Sequence, residues 1–260
     1  MSNTVAAIKK NGVGYLTLNR PDTSNALNKE LVSEIIHGIE GLIADDGVRV
    51  IVIRAEGKAF CVGGDLAEMS EVADPGTVLK ELTFLLNRVI VDICRSPKPI
   101  IAAVGGAAAG AGMSLAMACD LCFAASSAKF RQAYTSNGLV PDGGWTLWAT
   151  AVLGLNRARE LAFLDPVISS DEALKWGLVH RVFPDNELEN AVQQQAERMA
   201  KGASFAYAQA KELLSCATLS ILETQLERER RAMTAASSSH DGIEGIKAFL
   251  EKRIPRFSGS

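Results

Sequence analysis

The chain lacks most of what would advertise a chemistry. It has no long basic run, and its 27 Lys and Arg against 30 Asp and Glu leave a formal net charge of −3. Nothing in that balance draws it to nucleic acid or to an anionic membrane surface. Only three histidines occur, His37, His180 and His240, far apart and none beside an obvious nucleophile, so a histidine-based triad has no support. The five cysteines are an odd number spread through apolar contexts, which fits reduced, buried thiols rather than a disulfide framework. Cys119 and Cys122 form a CxxC, but no second pair accompanies it, so neither a zinc nor a redox site is expected there, and no metal is expected elsewhere. The opening Met1-Ser2-Asn3-Thr4 has neither a basic n-region nor a long apolar h-region. No secretory signal is expected, and the cytoplasm is the default location. Low-complexity linkers and internal repeats are missing as well.

Charge is also missing throughout the stretch between Lys98 and Asp120. A membrane span needs about 20 mostly apolar residues, and Gly106 with Gly110 satisfies the small-xxx-small spacing of packed membrane helices. The composition points elsewhere, because most of the segment is Ala and Gly, which supply little of the burial energy of Leu or Phe. Ile100, Ile101 and Val104 read as a short buried strand, a glycine cluster then breaks the chain, and Met113 to Cys119 reads as helix. In the loop between them, Gly105, Gly106, Gly110 and Gly112 let the backbone turn sharply and let a ligand approach main-chain N–H groups. The helix that follows offers its positive end. Such a place suits a developing negative charge.

At 260 residues, a single α/β domain with a sizeable core is within reach. Val5 to Lys9 and Val13 to Asn19 alternate around Asn11-Gly12 and predict a hairpin that ends at Arg20-Pro21-Asp22. Leu31, Ile35, Ile39 and Leu42 follow a helical period, and Val48 to Ile53 is an apolar run of the buried-strand type. Helix is then predicted over 78–94, with strands at 100–104 and 121–125. This alternation predicts α/β architecture with parallel pairing. Beyond about Gly143 the pattern is mainly helical, over 145–153, 157–164, 170–176, 187–200, 205–216, 221–235 and 242–252. Asp74-Pro75-Gly76 suggests a mobile loop.

A second glycine turn, Val62-Gly63-Gly64-Asp65, follows the Val48 to Ile53 strand. Alone it reads as a tight turn with an Asp helix cap. Two glycine turns, each leaving a buried strand and opening a short helix, can instead point two backbone N–H groups at one oxygen, as an oxyanion hole does.

On these residues the chain resembles the crotonase superfamily, the enoyl-CoA hydratase and isomerase family. The resemblance runs from Leu18-Asn19-Arg20-Pro21 and Asn25-Ala26-Leu27-Asn28 through 60–66 and 99–120. It continues over Ala173-Leu174-Lys175-Trp176-Gly177-Leu178-Val179 to the tail Asp241-Gly242-Ile243-Glu244-Gly245 and Phe249-Leu250-Glu251-Lys252-Arg253. It implies a spiral of ββα repeats over 1–195 carrying a thioester site, with a helical C-terminal region, 196–260, that builds a homotrimer or a dimer of trimers. The implied substrate is an acyl-CoA thioester, so that CoA arrives with the substrate and no separate cofactor is needed. The thioester oxygen maps to the N–H groups of Gly64 and of Ala111, within Gly110-Ala111-Gly112. Ala26, Leu27, Ala59, Asp65, Leu66 and Gly110 match positions that line the CoA pocket. Phe249 and Lys252 match tail positions that reach the nucleotide of a neighbouring subunit, although Phe249 as core and Lys252 as a solvated face are equally open.

Hydratases of the family place a Glu two residues after the second glycine turn and another about twenty residues later. Here Ser114 and Tyr134 stand at those positions, and neither is a good base near neutral pH. One carboxylate remains well placed, Asp142 in Pro141-Asp142-Gly143. The matching loop position in isomerase-like and phenylacetate-pathway members carries an Asp or Glu that faces the acyl chain, whereas an ordinary reading makes Asp142 the cap of the helix starting near Gly144. The resemblance therefore implies an enoyl-CoA isomerase with Asp142 as its single base, and Glu68 and Tyr134 are next in line for that role. A hydratase, an aryl-epoxide isomerase, a halo-aryl dehalogenase, and a non-catalytic acyl-CoA-binding protein are the alternatives.

Overall fold

The computed structural model describes residues 4–70 and 75–260. The chain begins with the expected hairpin, β1 (Val5–Lys10) against β2 (Val13–Leu18), in antiparallel register from Val5 opposite Leu18 to Lys10 opposite Val13. Asn11 and Gly12 join them with φ of 52° and 78°. Both are left-handed, as a two-residue turn matched to strand twist requires. Helix α1 (Lys29–Ala44) starts where the Asn28 side chain accepts from the Leu31 N–H at 2.9 Å, and it buries Leu31, Ile35, Ile39 and Leu42 against the sheet.

Three times thereafter the chain lays down a long strand, a short strand and a helix. The first unit is β3 (Val50–Ala55), β4 (Ala59–Cys61) and the helices α2 (Leu66–Ser70) and α3 (Pro75–Arg95). The second is β5 (Ile100–Val104), β6 (Ala107–Ala109) and α4 (Ala111–Ala118). The third is β7 (Leu121–Ala125), β8 (Lys129–Arg131) and α5 (Trp145–Leu153). Long strands build one sheet in the order β1-β2-β3-β5-β7-β10, and short strands build a second in the order β4-β6-β8-β9, with β10 (Arg181–Phe183) and β9 (Ile168–Ser169) as closing edges. Each unit thus advances one place in both sheets, giving the expected spiral. From β2 onward the main sheet is parallel. Strands β2 and β5 are buried along their whole length, and β3 and β7 are buried over most of theirs, because such a sheet is covered on both faces and near-continuous apolar runs result.

The remaining helices are α6 (Leu155–Leu164), α7 (Ser170–Lys175), α8 (Leu188–Ala200), α9 (Ser204–Ser237) and α10 (His240–Leu250). Helix α9 packs along α3. It corrects the prediction of separate helices at 205–216 and 221–235: one helix of 34 residues runs through, since the segment holds neither Gly nor Pro to stop it. Pro75 and Gly76 are also not a loop. They are buried at the start of α3, where Pro is favoured because its missing N–H lacks a helical partner anyway. Residues 71–74, the rest of that expected loop, lie outside the described residues. In the uncharged stretch the expected strand and helix are present, but the expected loop contains the short strand β6 and the helix begins at Ala111 instead of Met113. Among the described residues no helix is long and apolar enough to cross a membrane. Cys61, Cys94, Cys119 and Cys122 are buried as expected, with desolvation raising each thiol's pKa, whereas Cys216 is exposed.

Candidate active site

The first glycine turn is fixed by a one-residue bridge between Leu27 and Gly64. Leu27 N–H donates to Gly63 O at 2.7 Å, and Asp65 N–H donates to Leu27 O at 2.9 Å. In parallel pairing the residue between two such groups turns its own N–H the other way, so the Gly64 N–H faces away from Leu27. The second turn ends at Gly110, with φ 52° and ψ −131°, and Ala111 begins α4. The first N–H groups of a helix have no partner within it and sit at its positive end. Among the described residues, neither the Gly64 nor the Ala111 N–H donates to a protein acceptor.

These turns touch backbone to backbone. A Cβ on Gly63, whose φ is +97°, would lie 3.2 Å from Ala109 O and 3.4 Å from Ala111 N, and one on Gly112 would lie 2.1 Å from Cys61 O. Only glycine permits so close an approach. The Leu27 ledge is held by two residues to which the sequence reading gave no role. Buried Asn25 donates from Nδ2 to Glu56 O and Ala59 O, both at 2.9 Å, while Arg20 donates to Ala26 O at 2.6 Å and pairs with Asp65 at 3.1 Å. Ala26, Leu27, Ala59 and Asp65 are thereby gathered beside Gly64, and Leu66 opens α2 next to them. Ser24 and Asn25 take a left-handed φ of 55° and 56°, a conformation Asn tolerates better than most residues.

Phe249 and Lys252 stand apart from this group. Phe249 is 55% exposed, so its reading as core is overturned. Lys252 is exposed just past α10 with a left-handed φ of 53°. Helix α10 itself packs against α2 and the single turn Thr135–Asn137 of its own chain. That contact is so close that a Cβ on Gly245 would lie 2.1 Å from Asn137 O.

Asp142 is buried, 4% exposed, and each of its oxygens accepts one hydroxyl: Tyr134 Oη at 2.7 Å on Oδ1 and Thr83 Oγ1 at 3.0 Å on Oδ2. Ser114 Oγ donates to the Asp142 carbonyl at 2.8 Å and lies 3.3 Å from Tyr134 Oη. The two residues in the places of hydratase glutamates are therefore turned onto Asp142. Burial pushes the Asp142 pKa above the ordinary carboxylate value, and the two hydroxyls pull it part of the way back. Tyr134 is pushed well above a normal phenol, first by burial and then by the Asp142 charge, so it stays a neutral donor. Ser114 is three residues beyond Ala111 on α4, and residues so spaced share one helix face. The Asp142 loop thus lies about one helical turn, roughly 5 Å, along α4 from the Ala111 N–H.

The capping role for Asp142 is overturned. No side chain of its own loop caps α5, since the N-cap is Gly144 without a side-chain bond. The cap comes instead from Glu229 on α9. Its Oε2 accepts from Gly144 N–H at 2.7 Å, and its Oε1 accepts from Thr146 N–H at 3.0 Å and from the Thr146 hydroxyl. Neither Thr83 nor Glu229 was foreseen. Glu68, a candidate base, is exposed on α2 and accepts from Asn28 Nδ2 at 3.1 Å.

A family model described as enoyl-CoA hydratase/isomerase matches residues 8–260. The chain is 34% identical over 251 residues to a trans-2-decenoyl-[acyl-carrier-protein] isomerase of Streptococcus mutans, covering 96% of this chain and 95% of that one. It is 39% identical over 249 residues to a probable enoyl-CoA hydratase of Rhodobacter capsulatus, covering 95% of each. Its fold superposes on the crystal structure of an enoyl-CoA hydratase from Mycobacterium avium subsp. paratuberculosis with a TM-score of 0.90, at 34% identity and 98% coverage of both chains. With its spiral of ββα units and paired glycine turns, the chain belongs to the crotonase superfamily, as a member of the enoyl-CoA hydratase/isomerase family.

Proposed function

We propose that the enzyme shifts the double bond of an enoyl thioester, with Asp142 as its single base. The observation that carries this reading is that Ser114 and Tyr134 are hydroxyls bonded to Asp142. The site therefore offers one buried carboxylate instead of two. Asp142 takes a proton from the α carbon of a 3-enoyl thioester, and the electron pair moves onto the carbonyl oxygen. The resulting dienolate oxygen rests on the N–H groups of Gly64 and Ala111. Redelivery of the proton from Asp142 to the γ carbon moves the double bond into conjugation, and the carboxylate is restored. One group serves both transfers, and its raised pKa brings it closer to the working pH.

The thioester carrier is CoA in this reading, seated by Ala26, Leu27, Ala59, Asp65 and Leu66 beside the Gly110 turn, with Phe249 and Lys252 serving a neighbour's nucleotide. Assembly as a trimer or dimer of trimers, with 196–260 contributing to it, would cover Phe163, Leu164, Phe205, Leu213 and Leu214, which are all at least 74% exposed. The deciding experiment is a panel of 2- and 3-enoyl thioesters on CoA and on acyl carrier protein, assayed in heavy water. Double-bond migration is expected, with deuterium entering the γ carbon of the 2-enoyl product and the α carbon of the 3-enoyl ester when the dienolate returns to it. Net addition of water without migration would make the protein a hydratase, and binding without exchange would make it a non-catalytic acyl-thioester binder.

A further inference from the structure

Glu229 is the most deeply buried charged side chain on the 34-residue helix α9, ahead of Lys211, and the reaction gives it no part. It is 3% exposed and meets the first turn of α5 with both of its carboxylate oxygens. Between that turn and Asp142 stand only Gly143 and Gly144, with φ of +63° and +80°. Two successive left-handed glycines form a joint that resists bending little. The side chain of Asp142 adds no bond to α5, so without Glu229 the loop carrying the base would be tied to that helix only by the Trp145 N–H, which donates to the Asp142 carbonyl at 3.2 Å, and otherwise from the Thr83, Ser114 and Tyr134 side.

We propose that Glu229 is a positioning residue: from α9 it clamps the Gly144–Thr146 turn and so aims the Asp142 carboxylate at the substrate. The clamp rests on the reading of Asp142 as base. It works because Gly144 N–H and Thr146 N–H are bound by the two oxygens of one carboxylate, which fixes the turn in both position and rotation. A misplacement of a catalytic group by about 1 Å can cost about 10²-fold in rate, so slack at the glycine joint reaches the chemistry directly. Helix α9 packs on α3, which carries Thr83. The same helix pair therefore holds Asp142 from two sides.

The test uses the full-length protein and α-proton exchange of an enoyl-CoA in heavy water, with kcat and KM resolved and the melting temperature recorded. Glu229→Ala is expected to lower kcat between about 10- and 100-fold with KM within about twofold. Glu229→Gln, which keeps one acceptor for Thr146 but turns an amide toward Gly144 N–H, should fall in between. Leu222→Ala is the control, because Leu222 is fully buried two turns earlier on α9, and its truncation loosens the helix without touching the turn. It should lower the melting temperature and leave kcat within about twofold. If Glu229→Ala fails to fold, Glu229→Gln carries the test. The proposal is overturned if the Glu229 variants lose melting temperature alone, or if Leu222→Ala loses as much kcat. Full activity of Asp142→Asn would remove the base itself, and the clamp with it, which separates that failure from a faulty clamp on a genuine base.

Discussion

The two sides of the site are built by opposite means. On the proposed donor side, Gly64 and Ala111 would contribute main-chain N–H groups, held by backbone packed on backbone at Gly63, Gly110 and Gly112. On the base side, one carboxylate is held by side chains from separate elements: Thr83 on α3, Ser114 on α4, Tyr134 before a single turn of helix, and Glu229 acting through α5. The donor side depends on where the backbone runs and hardly on which side chains decorate it. The base side depends on the identity of each side chain, and its backbone takes the left-handed turn that glycine allows at Gly143 and Gly144. Side-chain substitutions that leave the backbone alone should therefore be mild at the first and severe at the second.

The largest effect should come from Gly64→Pro. Proline deletes the N–H and puts ring carbons where the oxyanion would rest, and loss of one such donor costs about 10²–10³ in rate. Circular dichroism should show a folded protein, since Gly63 has no Cβ to clash with the ring, while kcat for thioester exchange collapses. Activity within tenfold of the parent would place the donor elsewhere and dissolve the comparison.

Asp142→Asn tests the other side. Volume is kept, and the Tyr134 and Thr83 hydroxyls can rotate to meet an amide, so the fold should survive while proton transfer falls by about 10² or more. Because Glu229 supplies the α5 cap, Asp142→Ala is also a fair test of chemistry: it removes no cap, only the acceptor of two hydroxyls. Near-normal exchange in both variants would send the search for a base elsewhere.

This division also decides what was legible in the sequence. Long apolar runs announced β3, β5 and β7, and glycines announced both turns, because those features state a local need for burial or for unusual backbone. The short strands were hidden. Ala107-Ala108-Ala109 has no strand propensity of its own, and it is extended because β4 and β8 flank it. The threefold spiral was invisible as an internal repeat, since it recurs in backbone path and not in side chains. Asp142 could be found from the family pattern, but its role could not be separated from capping. The true cap lies 85 residues from Gly144, in Gln225-Leu226-Glu227-Arg228-Glu229-Arg230-Arg231, where Glu229 reads like any member of a solvated charge run. Thr83 is hidden in the same way, as one more polar position on α3.

Thr83→Val sharpens the base side with a smaller, signed effect. The Thr83 hydroxyl lowers the Asp142 pKa against the larger upward push of burial, so removing it lets the pKa rise. In the proposed mechanism Asp142 works as the carboxylate, and raising its pKa moves the acid limb of the pH–rate profile to higher pH. Activity should fall most under acidic conditions and recover toward the parent value on the alkaline side of that limb. An acid limb that stays in place or moves down would show that the Thr83 bond does not tune the base. Tyr134→Phe should move the limb in the same direction, since the Tyr134 hydroxyl also lowers this pKa.

The smallest effect should come from Ala111→Gly, and its smallness is informative. Ala111 is 5% exposed and opens α4, so a side-chain contribution to substrate binding would be felt there. The proposed donor, however, is the N–H, which glycine retains. Glycine in a helix interior costs about 1 kcal/mol relative to alanine, a cost of backbone conformational entropy and not of a lost hydrogen bond. A melting temperature slightly below the parent's and a kcat within about twofold are expected. A loss beyond tenfold without unfolding would mean that the methyl group itself shapes the donor side. Ala111 would then join Thr83 and Tyr134 among positions where residue identity governs the reaction, and backbone path alone would no longer account for the Gly64–Ala111 half of the site.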